Sequence, residues 1–312
     1  MTLTELKYIV AVARERHFGR AAEACFVSQP TLSVAIKKLE DELDVKIFER
    51  GANEISMTPL GEQIVRQAQQ VLEQAGAIKE IAKSGKDPVS GPLKLGIIYT
   101  IGPYLLPDLV REAIARVPQM PLMLQENFTA KLLEMLRTGE LDCAIMAEPF
   151  PDTGLAVAPL YDEPFVAAVP VGHALAKRKQ ISAEELRNET MLLLGTGHCF
   201  RDHVLEVCPE YARFASPNLP GNEGIRRSFE GSSLETIKYM VASGMGVTVV
   251  PQLSLPKDGR SQDHLRYIKF APPAPTRRVV LAWRRSFPRY EAIAALRNCI
   301  YACPLPGVKR LT

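Results

Sequence analysis

Of the six cysteines in this 312-residue chain (positions 25, 143, 199, 208, 299 and 303), two sit where a thiol can do chemistry. Cys199 lies in Gly195-Thr196-Gly197-His198-Cys199-Phe200-Arg201-Asp202, between a glycine-rich loop and the start of a helical pattern. Backbone N–H groups at a helix start, with His198 and Arg201 alongside, favour a thiolate, so an easily ionised thiol is expected. Cys208 follows nine residues later, in Val207-Cys208-Pro209. On a helix, nine steps separate the two Cα atoms by about 13 Å, whereas a disulfide tolerates about 7 Å at most. Joining the two would break the helix, so oxidation here would change the fold locally.

The other cysteines do not extend this chemistry. Cys25 and Cys143 fall in apolar helix and strand patterns, where a thiol is a small hydrophobe. Cys299 and Cys303 are one helical turn apart without a histidine partner, and no Cys-x-x-Cys pair occurs, so neither a metal nor any other cofactor is expected. Met1-Thr2-Leu3-Thr4-Glu5-Leu6-Lys7 carries charge where a secretory segment needs an apolar run, and no apolar stretch approaches a membrane span. A cytoplasmic protein without membrane attachment is expected, its thiols held reduced except in a transient or sensory disulfide.

The segments that must position this pair alternate in period. Leu93–Ile98, Leu122–Glu126 and Cys143–Met146 read as strands, separated by helical patterns at Leu105–Arg116 and Lys131–Arg137. That βαβαβ order implies a parallel sheet with ligands at the C-terminal strand ends. Phe165–Val169 opens a second unit containing Cys199. There Ser232-Ser233-Leu234-Glu235 reads as a capping box for a helix to Ala242, and Val247–Pro251 as a strand. Arg277–Trp283 returns to the first unit before a terminal helix through Cys303.

The first sixty residues hold eight basic and nine acidic side chains, so net charge makes no case for nucleic acid there. Placement does. Leu3, Leu6, Ile9, Val10 and Ala13 mark one amphipathic helix and Arg20–Cys25 a second, alanine-rich one. Ser28 then caps a third, with Pro30 in its first turn. Its apolar members Leu32, Ala35, Ile36 and Leu39 share one face, leaving Gln29, Pro30, Ser33 and Lys37 on the other. Two short helices around a tight turn describe a helix-turn-helix, or equally a helical protein-interaction module. On the DNA reading, Ser28, Gln29, Pro30, Thr31 and Ser33 face base edges and Lys37 lies near phosphates. Lys46–Arg50 and Ile55–Thr58 read as a two-stranded wing that carries Arg50 towards the duplex.

From Arg20-Ala21-Ala22 through Ser28-Gln29-Pro30-Thr31-Leu32-Ser33, Ile36, Leu39-Glu40, Leu43, Ile47-Phe48, Arg50, Thr58 and Gly61, the chain resembles the LysR-type transcriptional regulators. Ser233-Leu234-Glu235-Thr236 with Val241-Ala242-Ser243-Gly244-Met245-Gly246-Val247 extends the resemblance to that family's effector domain. It implies an α plus α/β architecture. A winged helix-turn-helix (1–58) is followed by a linker helix and hinge (59–91) and a two-lobed periplasmic-binding-protein-like domain (92–312). Lobe I comprises 92–163 and 270–312, and lobe II 164–269. In the linker, Ile64, Ala68, Val71, Ala75, Ile78 and Ala82 follow a 4-3 heptad seam. Dimerisation through 59–84 is expected from it, and the family implies a tetramer built from two dimers.

The Gly-His-Cys context and the spacing of Cys199 and Cys208 resemble the peroxide-sensing OxyR branch. The resemblance implies that hydrogen peroxide oxidises Cys199 to a sulfenic acid, which Cys208 resolves to a disulfide. Thr100 and Thr129, just beyond the first two strands of the effector domain, are then candidates to orient peroxide, with His198 and Asp202 polarising it. Arg278 is the candidate to stabilise the anionic sulfur. Promoter DNA, RNA polymerase and a cytosolic thiol reductant are the implied partners, and the chain is expected not to be an enzyme. A LysR-type regulator binding a small organic acid, with incidental cysteines, is the alternative within the fold. A thiol peroxidase is the alternative from another class.

Overall fold

The computed structural model describes all residues except 51–54, 85–88, 152–153, 210–229, 257–263 and 312. Two compact units divide it, Met1–Lys86 and the bulk of 87–312.

The first unit contains α1 (Leu3–Glu15), α2 (Phe18–Ala24), α3 (Gln29–Leu43), β1 (Phe48–Arg50), β2 (Ile55–Met57) and α4 (Pro59–Ser84). Thr2 and Glu5 form a capping box at the start of α1, and Ser28 caps α3 by accepting from the Thr31 N–H. The second helix begins at Phe18, earlier than its alanine run indicates, because the His17 imidazole accepts from the N–H groups of Gly19 and Arg20. Leu6, Ile9 and Val12 close a core with Ala21, Leu32, Ile36, Leu39 and Ile47. Val65 and Ala68 of α4 belong to the same core, and Ile64 and Leu72 pack against it. The first turns of the expected seam thus serve their own domain, whereas Val71 and Ile78 remain exposed.

The wing is held to α3 by one buried carboxylate. Glu40 accepts from the backbone N–H groups of Ile47 (2.8 Å) and Phe48 (3.1 Å) and from Lys46 Nζ (3.2 Å). Burial alone would raise its pKa, but these three donors outweigh it and hold the carboxyl below the usual range.

The second unit runs β3 (Leu93–Ile98), α5 (Gly102–Arg116), β4 (Leu122–Asn127), α6 (Thr129–Thr138) and β5 (Cys143–Ala147). It continues through β6 (Ala156–Pro170), β7 (Gln180–Ile181), α7 (Ala183–Leu186), β8 (Leu193–Leu194), α8 (Cys199–Val207), β9 (Glu230–Gly231) and α9 (Leu234–Ala242). It ends with β10 (Thr248–Pro251), β11 (Leu265–Phe270), β12 (Thr276–Trp283), α10 (Tyr290–Ala302) and β13 (Lys309–Arg310). Strands β4, β3 and β5 are parallel neighbours, and antiparallel β12 and β6 extend the sheet. The 15-residue β6 serves both lobes, pairing with β12 up to Pro164 and with β10 and β11 from Phe165 onward. Lobe II packs α8 and α9 over this second half, with Phe200, Val204 and Cys208 in its core.

The capping box expected at Ser232 is replaced by a cap at Ser233, whose hydroxyl accepts from the Thr236 N–H. Glu235 is thereby free to accept from the Tyr104 hydroxyl (2.6 Å) on α5 and to pair with Lys238 (2.6 Å). This contact joins the two lobes.

Glu40→Ala leaves two buried N–H groups without an acceptor and should destabilise the first unit by about 2–4 kcal/mol in urea unfolding. The carboxyl pKa is depressed on folding, so this stabilisation is complete above the ordinary 4.5 and disappears as pH falls through the folded value. Wild-type stability should therefore fall below pH 4.5 more steeply than that of Glu40→Gln.

Candidate redox site

Parallel register places the two threonines. Ile98 of β3 lies opposite Asn127 of β4, so Thr100 and Thr129 both emerge two residues beyond the strand ends. From lobe II, β8 leads into Gly195–Gly197, where Gly197 adopts a φ of 97° that only glycine takes without strain. That turn sets His198 as the residue before α8 and Cys199 as its first residue. Together Ile98–Thr100, Asn127–Thr129 and Gly197–Cys199 line one pocket between the lobes. It is small, with an empty volume of roughly 170 Å³ that includes space open to solvent. Among the described residues, no lysine, arginine, aspartate or glutamate lines it.

The floor is polar. The Thr129 hydroxyl is buried, faces the Cys199 sulfur and favours its charge, yet has no partner at normal hydrogen-bond geometry. Thr100 is buried, and its hydroxyl accepts from Arg277 Nη1 (2.7 Å) while its carbonyl accepts from Nη2 (3.0 Å). His198 is buried edge-on against Tyr99 (5.8 Å between centroids) and Phe128 (4.8 Å). Burial lowers its pKa and outweighs the hydrogen bond to the Ser232 backbone, so the imidazole is neutral at physiological pH.

Two expectations need correction. Arg278 is not at the site. On β12 alternate residues face opposite ways, and Arg278 lies on the exposed face, paired with Asp162 across the strands (2.9 Å). Its neighbour Arg277 faces inward, ion-paired with fully buried Glu163 (2.8 Å) and stacked over the Phe200 ring (5.2 Å). Nor is Cys199 an easily ionised thiol. Burial pushes its pKa above the ordinary 9.0, and the Thr129 hydroxyl, the Arg277 charge and the Cys199 N–H offset this only in part. The Arg201 guanidinium donates to the Leu194 carbonyl (2.8 Å). Asp202 is exposed, lies outside the pocket lining and raises the thiol pKa further.

Cys208 follows α8 at the opposite end, fully buried in lobe II. Both cysteines are thiols, and the nine-residue helix between them keeps the Cα atoms about 13 Å apart. Sequence reasoning passed over His203, which fastens this helix to lobe I: its Nε2 donates to the Glu148 carbonyl (2.7 Å). It also missed Tyr99 and Phe128, which stand beside the threonines without any distinguishing pattern.

Residues 3–62 match the model of the bacterial regulatory helix-turn-helix proteins of the lysR family, and residues 86–302 match the LysR substrate binding domain. The chain belongs to the LysR family. A hydrogen peroxide-inducible genes activator from Pectobacterium carotovorum is 38% identical over 94% of this chain and 95% of its own length. Among solved structures, full-length OxyR from Pseudomonas aeruginosa, in a cysteine-to-aspartate variant, is 50% identical with a TM-score of 0.71, covering 97% and 99% of the two chains. An H2O2-bound cysteine-to-serine variant of Corynebacterium glutamicum OxyR is 31% identical with a TM-score of 0.61, covering 96% of this chain and 91% of its own.

Within the LysR head, the polar face of α3 carries exposed Gln29, Pro30, Thr31 and Lys37, with Ser33 half-buried. The Ser28 hydroxyl is engaged in the cap and with the Thr31 hydroxyl (2.8 Å), so both already have partners within α3. Arg50 closes β1, but its side chain and the following turn lie outside the described residues. Among the described residues no helix is long and apolar enough to cross a membrane.

Arg277→Ala would strand Glu163 without its charge partner and should destabilise the effector unit by about 3–5 kcal/mol in denaturant titration. Arg278→Ala should leave that unfolding curve close to wild type. Because burial raises the Cys199 pKa, alkylation of this thiol, followed by peptide mapping, should accelerate about tenfold per pH unit from 7 to 8.5 with no plateau below 9.

Proposed function

We propose that this LysR-family protein is a cytoplasmic, peroxide-responsive transcriptional regulator in which Cys199 is the sensing thiol and Cys208 the resolving one. One observation carries the reading. Cys199 lines a small pocket together with Thr100 and Thr129, the buried Thr129 hydroxyl faces its sulfur, and a second thiol sits at the far end of the same helix. The relatives named for peroxide support it.

The chemistry follows from these groups. Peroxide seated on the floor can accept a hydrogen bond from Thr129 and lie beside Thr100. The small thiolate fraction attacks one oxygen, and the sulfur–oxygen bond forms as the oxygen–oxygen bond breaks. The proton released by the thiol neutralises the departing hydroxide, so Cys199 becomes a sulfenic acid and water leaves. Keeping the thiol neutral at rest limits the reaction to an oxidant that fits and is polarised there. His198 acts as a neutral wall and hydrogen-bonding group, and Arg277 acts through Thr100 and the field at sulfur.

Cys208 then attacks the sulfenic sulfur, hydroxide leaves as water, and the disulfide forms only if α8 unwinds. Unwinding releases Phe200 from beneath Arg277 and His203 from lobe I, and so alters the surfaces through which effector domains associate. In the domain assignment we favour, 1–58 reads DNA with Gln29, Pro30, Ser33, Lys37 and Arg50, and 59–91 joins it to the sensor at 92–312. The exposed Val71 and Ile78 support pairing of α4 with its counterpart in a second chain. Promoter recognition, contact with RNA polymerase and resetting by a cytosolic thiol reductant complete the proposal.

Brief treatment of the reduced protein with H2O2, followed by non-reducing peptide mapping, should give a Cys199–Cys208 crosslink. Cys208→Ser should stop at a sulfenic acid trapped by dimedone, and Thr129→Val should slow oxidation about tenfold. A crosslink pattern that excludes Cys199 would remove the basis of this reading.

A further inference from the structure

The outward face of α3 is not uniformly polar. At about 100° per residue, the buried side chains Leu32, Ile36, Leu39 and Glu40 define one direction, and Val34 points about 180° away from it. Val34 is accordingly 69% exposed. Its neighbours on that face are Pro30, four residues before it, and Lys37 and Lys38, three and four residues after it, all exposed. Beyond them the charge changes sign at exposed Asp41. The face therefore offers carbon at its centre, positive charge one turn on, and negative charge only towards its C-terminal end. Single apolar side chains are common on protein surfaces. This one is set apart by its place on the second helix of a helix-turn-helix, the helix that enters the major groove.

We propose that Val34 is a specificity-determining residue of this head and reads the 5-methyl group of a thymine in the major groove. The inference rests on the DNA-reading assignment of 1–58 proposed above and is independent of the redox chemistry. A valine side chain neither donates nor accepts a hydrogen bond, so it cannot read the polar edges that distinguish the four base pairs. Among the four bases only thymine carries an apolar group there, and contact with it removes methyl surface on both partners from water. Against the cytosine amine or the guanine acceptors, the same side chain would cover a polar edge without replacing its bonds to water, which costs free energy. Lys37 and Lys38, one turn on, are placed for the phosphates beside the groove and fix the depth of the helix. Asp41 is repelled by the same phosphates, so α3 enters by its N-terminal half, with Val34 facing the base edges.

The test uses the full-length reduced protein and a duplex that it enriches from a random-sequence library, with each thymidine replaced in turn by deoxyuridine. That replacement removes the methyl group and leaves every hydrogen-bonding group in place. Wild type should lose about fourfold in affinity at one or more of these thymines, the worth of one buried methyl group. Val34→Ala should lose a similar factor on the parent duplex. It should show no further loss when the same thymine becomes uracil, while uracil effects at other positions persist. Val34→Thr, which keeps one γ-methyl group, should retain part of the sensitivity. Because the side chain is exposed, both variants should unfold in urea as wild type does. A wild type indifferent to every uracil, or a Val34→Ala protein with the wild-type uracil pattern, would overturn the proposal and leave DNA reading by 1–58 intact. Enrichment of no duplex at all would overturn that assignment as well.

Discussion

The effector domain is organised around one buried ion pair. Arg277 and Glu163 face each other across β12 and β6 where the chain passes between lobes, and neither side chain is more than 1% exposed. Two charges in such a place are tolerated only if every remaining donor and acceptor is satisfied. Here they are satisfied by parts of the structure that matter to the site. Arg277 donates twice to Thr100 at the end of β3, and Glu163 accepts from the Leu253 N–H in lobe II (2.7 Å). The guanidinium face covers Phe200, the residue after Cys199. The position of one pocket threonine, the junction of the lobes and the seating of α8 are thereby set by the same pair.

This arrangement also explains how a buried thiol can be reactive without being ionised. A helix N-terminus and nearby cations favour a thiolate in water-accessible surroundings, but at Cys199 desolvation outweighs them. Arg277 is ion-paired with Glu163 and donates to Thr100, and Arg201 donates to the Leu194 carbonyl. The resting state is a neutral thiol beside the buried Thr129 hydroxyl. On the proposed reading, a peroxide entering the pocket meets that hydroxyl as it meets the sulfur, so binding of the oxidant and polarisation of its oxygen–oxygen bond are one event. Selectivity then comes from fit, because large or charged electrophiles find few ionised thiols to attack.

Features set by local pattern were legible in the sequence. Alternating strand and helix periods identified the βαβαβ unit and so put Thr100 and Thr129 at strand ends, and the Ser28-Gln29-Pro30 cap identified α3. What was not legible depends on partners distant in sequence. Arg277 and Arg278 are adjacent and chemically identical, and the apolar run that follows them is buried on both faces, so alternation could not choose between them. Glu40, His203 and Glu235 each act on backbone or side chains of another element, which no spacing rule reveals. The linker pattern is read only in part by its own domain: Ile64 and Ala68 pack in the head, while Val71 and Ile78 stay exposed.

The helix between the cysteines is the element on which both states bear, and magnitudes indicate which state wins. Reduced, α8 is fastened by the Arg201 and His203 hydrogen bonds to carbonyls, each worth about 1 kcal/mol, and by burial of Phe200, worth about 2 kcal/mol. Cys208 adds its own burial in the lobe II core. A disulfide closing a loop of ten residues restricts the unfolded chain by only about 3 kcal/mol. That restriction raises the free energy of the unwound form, so chain entropy does not hold it against these contacts. The covalent bond must do so, driven by the reduction of peroxide. Once a reductant cleaves it, nothing opposes the helix, and the fold itself returns Cys199 to its pocket.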